Sequence, residues 1–258
     1  MREPDRQAIR LTPMITQAPA NGPDCVAIFG ASGGIGRALC VEAAKRGSRV
    51  WAGSRKATTI DQSGITPFAF DLNDESSIAE AAGVMRDDPP AMVVVATGVL
   101  TLADGTGPER TYRKLDPAVM AEVFALNTIG PALIAKHMLP LLPRNERGVF
   151  AALSARVGAI SDNGLGGWHS YRASKTALNM LLKNFAIELG RTHKQAIVAG
   201  LHPGTVDSAL SKPFQSNLPD GQLTEPDHSA RNLLDVLGSL TPEDSGDVFD
   251  FAGKKIDP

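Results

Sequence analysis

The stretch Cys25-Val26-Ala27-Ile28-Phe29-Gly30-Ala31-Ser32-Gly33-Gly34-Ile35-Gly36 decides the fold. An apolar run of strand length passes into a glycine-rich turn, and helical periodicity begins at Gly34. Such a turn leaves backbone N–H groups and the positive end of a helix free to meet a pyrophosphate, with no Cβ to block the approach. Glycines alone are also compatible with a tight turn that binds nothing; the strand–turn–helix context favours a dinucleotide. No Gly-Lys-Ser/Thr follows, which excludes a P-loop.

Beyond the turn, short apolar runs alternate with longer segments of helical period, the pattern of parallel strands joined by crossover helices. The runs predict strands at Val26–Phe29, Arg49–Ala52, Thr66–Phe70, Met92–Ala96, Gly148–Leu153, Ala196–Leu201 and Asp247–Phe251. Several are apolar throughout, as strands covered on both faces are. Helices are predicted over Gly34–Arg46, Asp74–Arg86, Pro117–Leu142 and Ser170–Gly190, with one more before the last strand. Asp74 and Asp116 stand at N-cap positions, and Pro117 follows at the first helical position. The expectation is an α/β chain: a single doubly wound (Rossmann-type) domain over residues 25–258, with a mostly parallel seven-stranded sheet and helices on both faces. Residues 1–24 read as a flexible leader, with four Pro, three Arg and three acids and no apolar core. A Pro-rich excursion at 207–226 is too long for an ordinary connection and is a substrate-loop candidate. Its apolar side is formed by Leu210, Pro213, Phe214 and Leu218.

Composition narrows the partners. The 258 residues are 43% apolar and carry 26 Lys+Arg against 28 Asp+Glu, a net charge of −2. That balance gives no basic face for nucleic acid or an anionic membrane. No uninterrupted apolar run approaches the roughly 18 to 20 residues of a spanning helix, so the expectation is a soluble chain. Two cysteines, Cys25 and Cys40, cannot build a disulfide framework and make no metal-ligand spacing with the five histidines. A cytoplasmic setting without a metal is expected.

The chemistry-bearing residues gather in the second half. Tyr171 and Lys175 are four apart in a helical segment and therefore share a face. An ammonium there favours tyrosinate, which would let Tyr171 trade a proton with a carbonyl or alcohol. The spacing alone leaves open a surface Tyr beside a solvated Lys. Ser154 ends an apolar strand run, at the carboxyl edge where open α/β sheets bind ligands. Asn127 lies inside a long helix, where it signals a kink, a bound water or an exposed position, and position alone favours exposure. Asp71, followed by Leu72, can accept from an adenine amino group or cap a strand end. Trp168, His169 and His202 read as packing. At the end of the second strand, Ser54-Arg55-Lys56 offers two bases where a ribose 2′-hydroxyl would want an acid, a pattern suited to a 2′-phosphate.

Taken together, Gly30-x-x-x-Gly34-x-Gly36, Asp71, Asn127, Ser154, Tyr171-x-x-x-Lys175 and Pro203-Gly204 resemble the short-chain dehydrogenase/reductase family in order and spacing, over about residues 25 to 253. The runs Ser154–Gly158, Tyr171–Lys175 and Leu201–Asp207 look like the branch related to the cell-signalling protein C-factor. The resemblance implies that Tyr171 is the acid/base, Ser154 orients the substrate oxygen, Lys175 binds the nicotinamide ribose and tunes Tyr171, and Asn127 holds a water in the proton relay. It further implies a dinucleotide held by Gly30, Ser32, Gly33, Gly34, Ile35 and Gly36, by Ser54 and Arg55, by Asp71, Leu72 and Gly98, by Tyr171 and Lys175, and by Pro203, Gly204 and the Val206 backbone. The cofactor is expected to be NADP, with NAD possible. The expected function is an NAD(P)-dependent oxidoreductase moving a hydride between nicotinamide and a small-molecule carbonyl or alcohol. The alternative is a dinucleotide-binding regulatory or signalling protein with little turnover. The family further implies a homodimer or homotetramer through the two long helices. Two departures stand out: Phe29 where the family often has Thr, and Val95-Ala96-Thr97-Gly98 in place of Asn-Asn-Ala-Gly. Arg156 is a candidate contact for a carboxylate-bearing substrate.

Overall fold

The computed structural model describes residues 22–217 and 221–258; the predicted leader up to residue 21 and Leu218 of the excursion lie outside them. Six parallel strands form the body of the sheet: β1 (Cys25–Phe29), β2 (Arg49–Ser54), β3 (Ile65–Ala69), β4 (Met92–Val95), β5 (Gly148–Leu153) and β6 (Ala196–His202). Two two-residue strands, β7 (Thr205–Val206) and β8 (Leu223–Thr224), pair separately. The chain ends with β9 (Val248–Asp250) and β10 (Lys255–Ile256). The main sheet runs β10-β9-β6-β5-β4-β1-β2-β3. It has eight strands rather than seven because β10 folds back antiparallel on β9. A two-residue strand carries no periodicity that a sequence reading could detect.

Each strand sends alternate residues to opposite faces. Val26 and Ile28 join Val94, Ala151 and Ile197 under helices α1 (Gly34–Lys45) and α6 (Pro226–Ser239). Ala27 and Phe29 join Val93, Phe150 and Val198 on the other face, beneath α2 (Glu75–Val84) and the two long helices. Pro67 has no N–H to give a ladder, and it is tolerated because β3 is the sheet's edge. Phe29, at the position where Thr was expected, is fully buried and packs edge-on against Phe68 and Phe70 at 5.1 and 5.0 Å.

The predicted Pro117–Leu142 helix is continuous but changes pitch. Asp116 caps α3 (Pro117–Phe124) by accepting from Ala118 and Val119 N–H; a π-helical segment follows at Ala125–Ile129, then α4 (Gly130–Met138) and a 3₁₀ turn to Leu141. At 25 residues this run is long and apolar enough to cross a membrane, which corrects the expectation that no segment reaches that length. Ile134, Ala135 and Met138 bury it against the sheet instead. The last long helix, α5 (His169–Leu189), lies beside it on the same face.

Candidate active site

The strand order reverses between β1 and β4, and ligands bind at such a switch point outside the carboxyl ends of the strands. There the Gly30 and Ala31 N–H groups donate to the Gly53 carbonyl. Gly30 has a φ of +108°, and a Cβ on it would stand 2.9 Å from the Ala96 carbonyl. A Cβ on Gly36 would overlap the Gly30 carbonyl. These two glycines therefore serve the turn itself. Ser32, Gly33 and Gly34 are exposed, and α1 begins with neither a side-chain cap nor an acid in its first turn. Its free N–H groups and dipole suit an anion. Beside them the Thr97 hydroxyl is buried without a partner. An uncapped helix start, an open glycine cradle and an orphaned hydroxyl fit a dinucleotide.

Around this turn the predicted cofactor residues divide. Arg55 and Lys56 are exposed at the end of β2, whereas Ser54 is buried and its Oγ accepts from Thr58 N–H at 2.9 Å. The Ser54 Oγ thus helps close its own turn and keeps its hydrogen to donate, at a strand end that carries no acid. Asp71 accepts from Asn73 N–H at 2.9 Å, a strand-end turn leading into the Asp74 cap of α2. Leu72 packs beneath the long helix, where a Cβ on Gly130 would meet its Cδ2 at 2.7 Å. Val206 is buried in β7, and Gly204 turns with a φ of +75° against the Phe251 ring.

The predicted catalytic residues converge. Lys175 Nζ donates to the Leu153 carbonyl at 2.7 Å, immediately before Ser154, and lies 5.9 Å from the Tyr171 ring centroid. Asn127 Oδ1 and Lys175 Nζ both face Gly98, at 3.2 and 3.3 Å from where a Cβ would stand. Asn127 is fully buried, which overturns the exposed position favoured for it. Its amide accepts from Val99 N–H at 2.7 Å and donates to the Val99 carbonyl at 2.9 Å and to Ser174 Oγ at 3.2 Å. Ser174 in turn donates to the Tyr171 carbonyl at 2.8 Å. Both amide donors are spent, so a water held by Asn127 has to donate to an acceptor there, the second lone pair of Oδ1 or the backbone carbonyl.

Burial dominates the protonation states. It pushes the Tyr171 phenol up to about 12 and the Lys175 ammonium down to about 8. The expected depression of the phenol is therefore not found: burial sets its shift, and Nζ is turned to Leu153. His202, at the end of β6, is pushed down to about 4 by burial and by Arg156, consistent with its reading as packing. Arg156 itself pairs with Asp162 at 3.5 Å and Asp250 at 3.3 Å, so its charge is answered within the chain.

Two residues, Asn179 and Glu109, escaped the sequence reading, and Trp168, read as packing, packs on the site itself. Asn179, one turn beyond Lys175, accepts from the Ser154 hydroxyl at 2.6 Å. Trp168 stands in the left-handed region at φ 51° and packs edge-on against Tyr171 at 6.2 Å and Phe214 at 5.2 Å. Glu109 reaches the start of α5 from the loop after β4. The helical spacing of Lys175 and Asn179 was available as a signal for Asn179; nothing local signals Glu109, which meets the site only through the fold.

The short chain dehydrogenase family model matches residues 24–219, and the chain belongs to that family of NAD(P)-dependent oxidoreductases. It is 34% identical over 142 residues to C-signal of Myxococcus xanthus, across 55% of this chain and 80% of that protein. It is 30% identical over 225 residues to 1-hydroxy-2-glutathionyl-2-methyl-3-butene dehydrogenase of Rhodococcus sp. (strain AD45), across 86% of this chain and 93% of that one. In fold it is similar to the NADPH-bound carbonyl reductase from chicken fatty liver, with a TM-score of 0.78 at 22% identity, covering 92% of this chain and 95% of that one.

Proposed function

We propose that this chain is an NADP-preferring reductase of apolar carbonyl compounds, or the corresponding alcohol dehydrogenase, with Tyr171 as acid/base. The observation that carries the reading is the meeting of Tyr171, Lys175, Ser154 and Asn127 at the carboxyl edge of the sheet behind an apolar wall of Leu100, Ala155, Val157, Trp168 and Phe214. That wall includes Phe214 of the excursion, in line with a substrate loop that excludes water. The dinucleotide, when bound along Gly33, Gly34 and Thr97, supplies or takes up the hydride. Tyr171 gives its proton to the substrate oxygen, and Ser154 orients that oxygen. Asn179 serves this if its amide turns to donate to Ser154, leaving the serine hydrogen free for the substrate. Lys175, swung from the Leu153 carbonyl towards the ribose and the phenol, would favour the ionised phenol that burial alone disfavours. A dinucleotide binder without turnover needs none of this arrangement.

NADP preference rests on Arg55 and Lys56, exposed at the end of a strand that carries no acid. A guanidinium meets a 2′-phosphate with paired charge-assisted bonds, worth roughly 1.5 to 3 kcal/mol each, or about 10- to 150-fold between cofactors. A cytoplasmic setting is part of the proposal, supported by two buried free cysteines. The test is loss of NADPH absorbance against a panel of ketones and aldehydes, with NADH in parallel and with the Ser54→Asp/Arg55→Ala variant. Turnover that favours NADPH, and loses that preference in the variant, is expected. Cofactor binding without turnover on any carbonyl would leave the signalling reading standing.

A further inference from the structure

The helix that carries Tyr171 has an unusual beginning. Its N-cap residue is Trp168, which has no side chain able to cap and stands in a backbone region that a bulky residue rarely adopts. Its first turn contains no acid. The missing groups come from Glu109, sixty-one residues earlier in the chain. The Glu109 carboxylate accepts from Ser170 N–H at 3.1 Å and also from the Ser170 hydroxyl. The Glu109 backbone carbonyl accepts from Trp168 N–H at 2.5 Å. Glu109 is 7% exposed, a carboxylate taken out of water to do this. Burial works to raise its pKa, but the Ser170 bonds, a bond from its own backbone and the nearby His169 together outweigh that and hold it below the ordinary carboxylate value. A negative charge at this end also answers the helix dipole.

The residues so held are the ones that set the site's shape. Trp168 leans on Tyr171 and on Phe214 of the substrate loop. Tyr171 is the next residue after Ser170. The loop bearing Glu109 is pinned at its other end by Asn127 through Val99, and between the two pins Leu100 packs in the same cluster as Tyr171. We propose that Glu109 is a positioning residue for the reaction: its carboxylate and carbonyl latch Ser170 and Trp168, and through them fix the Tyr171 ring and the aromatic wall against the substrate. The inference rests on the oxidoreductase reading of Tyr171 but concerns a residue that touches neither substrate nor cofactor.

Glu109→Ala, Glu109→Gln and Ser170→Ala test it, each also made in a Trp51→Phe background so that Trp168 is the remaining tryptophan of the two. Well below its melting temperature, Glu109→Ala is expected to lose about 10- to 100-fold in kcat, the scale of a small misplacement of a reacting group, and to change the enantiomeric ratio of the alcohol formed from a prochiral ketone. The dissociation constant for NADPH should stay within about twofold, because the glycine turn is untouched. Glu109→Gln can still accept from Ser170 N–H and pair with its hydroxyl, and should restore most of kcat. Trp168 emission should move to longer wavelength in Glu109→Ala and not in Glu109→Gln. If Glu109→Ala does not fold, Ser170→Ala, which removes only the hydroxyl bond, should show the same changes in smaller degree. Unchanged kcat and enantiomeric ratio in the folded variant, with only a lower melting temperature, would reduce Glu109 to a structural cap and overturn the proposal. So would a folded Glu109→Gln as impaired as Glu109→Ala. The emission readout needs no turnover; a wild type inactive on every carbonyl would overturn the functional reading while the emission still decides the latch.

Discussion

At the scale of single residues, the phenol and the ammonium make the sharpest claims. Tyr171→Phe removes one hydroxyl from a buried, aromatic-packed ring, so the fold and cofactor affinity should survive while turnover falls about 10²- to 10⁴-fold, the usual contribution of a positioned acid. Wild-type rates in that variant would remove Tyr171 from the chemistry. Lys175 makes a claim about stability. Burial holds it at about 8, against the 10.5 of an exposed lysine, so between those two pH values the unfolded chain carries the extra proton and stability rises with pH. Tyr171, raised from 10.0 to about 12, acts oppositely: the unfolded chain loses its proton first, and stability falls with pH across that higher window. Melting temperatures of the cofactor-free wild type and Lys175→Met, taken from about pH 7.5 to about pH 9.5, should therefore shift in the wild type's favour as pH rises. A gap that stays constant would mean that the ammonium is not desolvated. The Tyr171–Lys175 pairing was legible because helical spacing is a local property. The direction of the phenol's shift was not, because burial is a property of the whole neighbourhood.

At the scale of elements, the same division recurs. Strand β1, its turn and α1 were readable because period, glycine placement and helix start all agree within twelve residues. The caps at Asp74 and Asp116 were readable for the same reason. The π segment at Ala125–Ile129 was not, since nothing in Ala-Leu-Asn-Thr-Ile departs from a helical pattern except the Asn itself. Its cause lies across the fold: the Asn127 amide reaches Val99, and Thr128 Oγ1 donates to the Ser174 carbonyl at 2.8 Å. Asn127→Ala should strip both backbone groups of Val99 of their partner, at a cost of about 1 to 3 kcal/mol for each group left unpaired. The expected signs are a melting temperature several degrees lower and weaker cofactor binding, as the Gly98–Val99 segment loosens. Asn127→Asp keeps the acceptor for Val99 N–H but not the donors and should fall between the two. An Asn127→Ala protein as stable as wild type would show that the amide does not hold the loop.

At the scale of the molecule, the long helices present more apolar surface than one sheet face absorbs. Ile134, Ala135 and Met138 of α4 and Leu178 and Leu182 of α5 face the core. Left facing outward are Ile129, Met180 and Ile187, 53%, 62% and 54% exposed. Met180 and Ile187 are seven apart and so share one face of α5. A bilayer is the other environment a 25-residue apolar helix could enter, but this one buries Asn127 in bonds to Val99 and lays Met138 against the sheet. Pulling it out would leave those amide bonds unmade and open the core. A second copy of the same face costs nothing of the kind, and about 800 Å² from each partner suffices for a stable pair. The chain is therefore expected to be a dimer, or a dimer doubled, at micromolar concentration. Met180→Lys with Ile187→Lys should return it to monomers that still bind NADPH, because the glycine turn lies at the strands' carboxyl edge and not on this face. Light scattering decides the matter. A monomeric mass for the wild type would mean that these side chains are simply exposed, and that the surplus apolar surface of the two helices has some occupant other than a second copy.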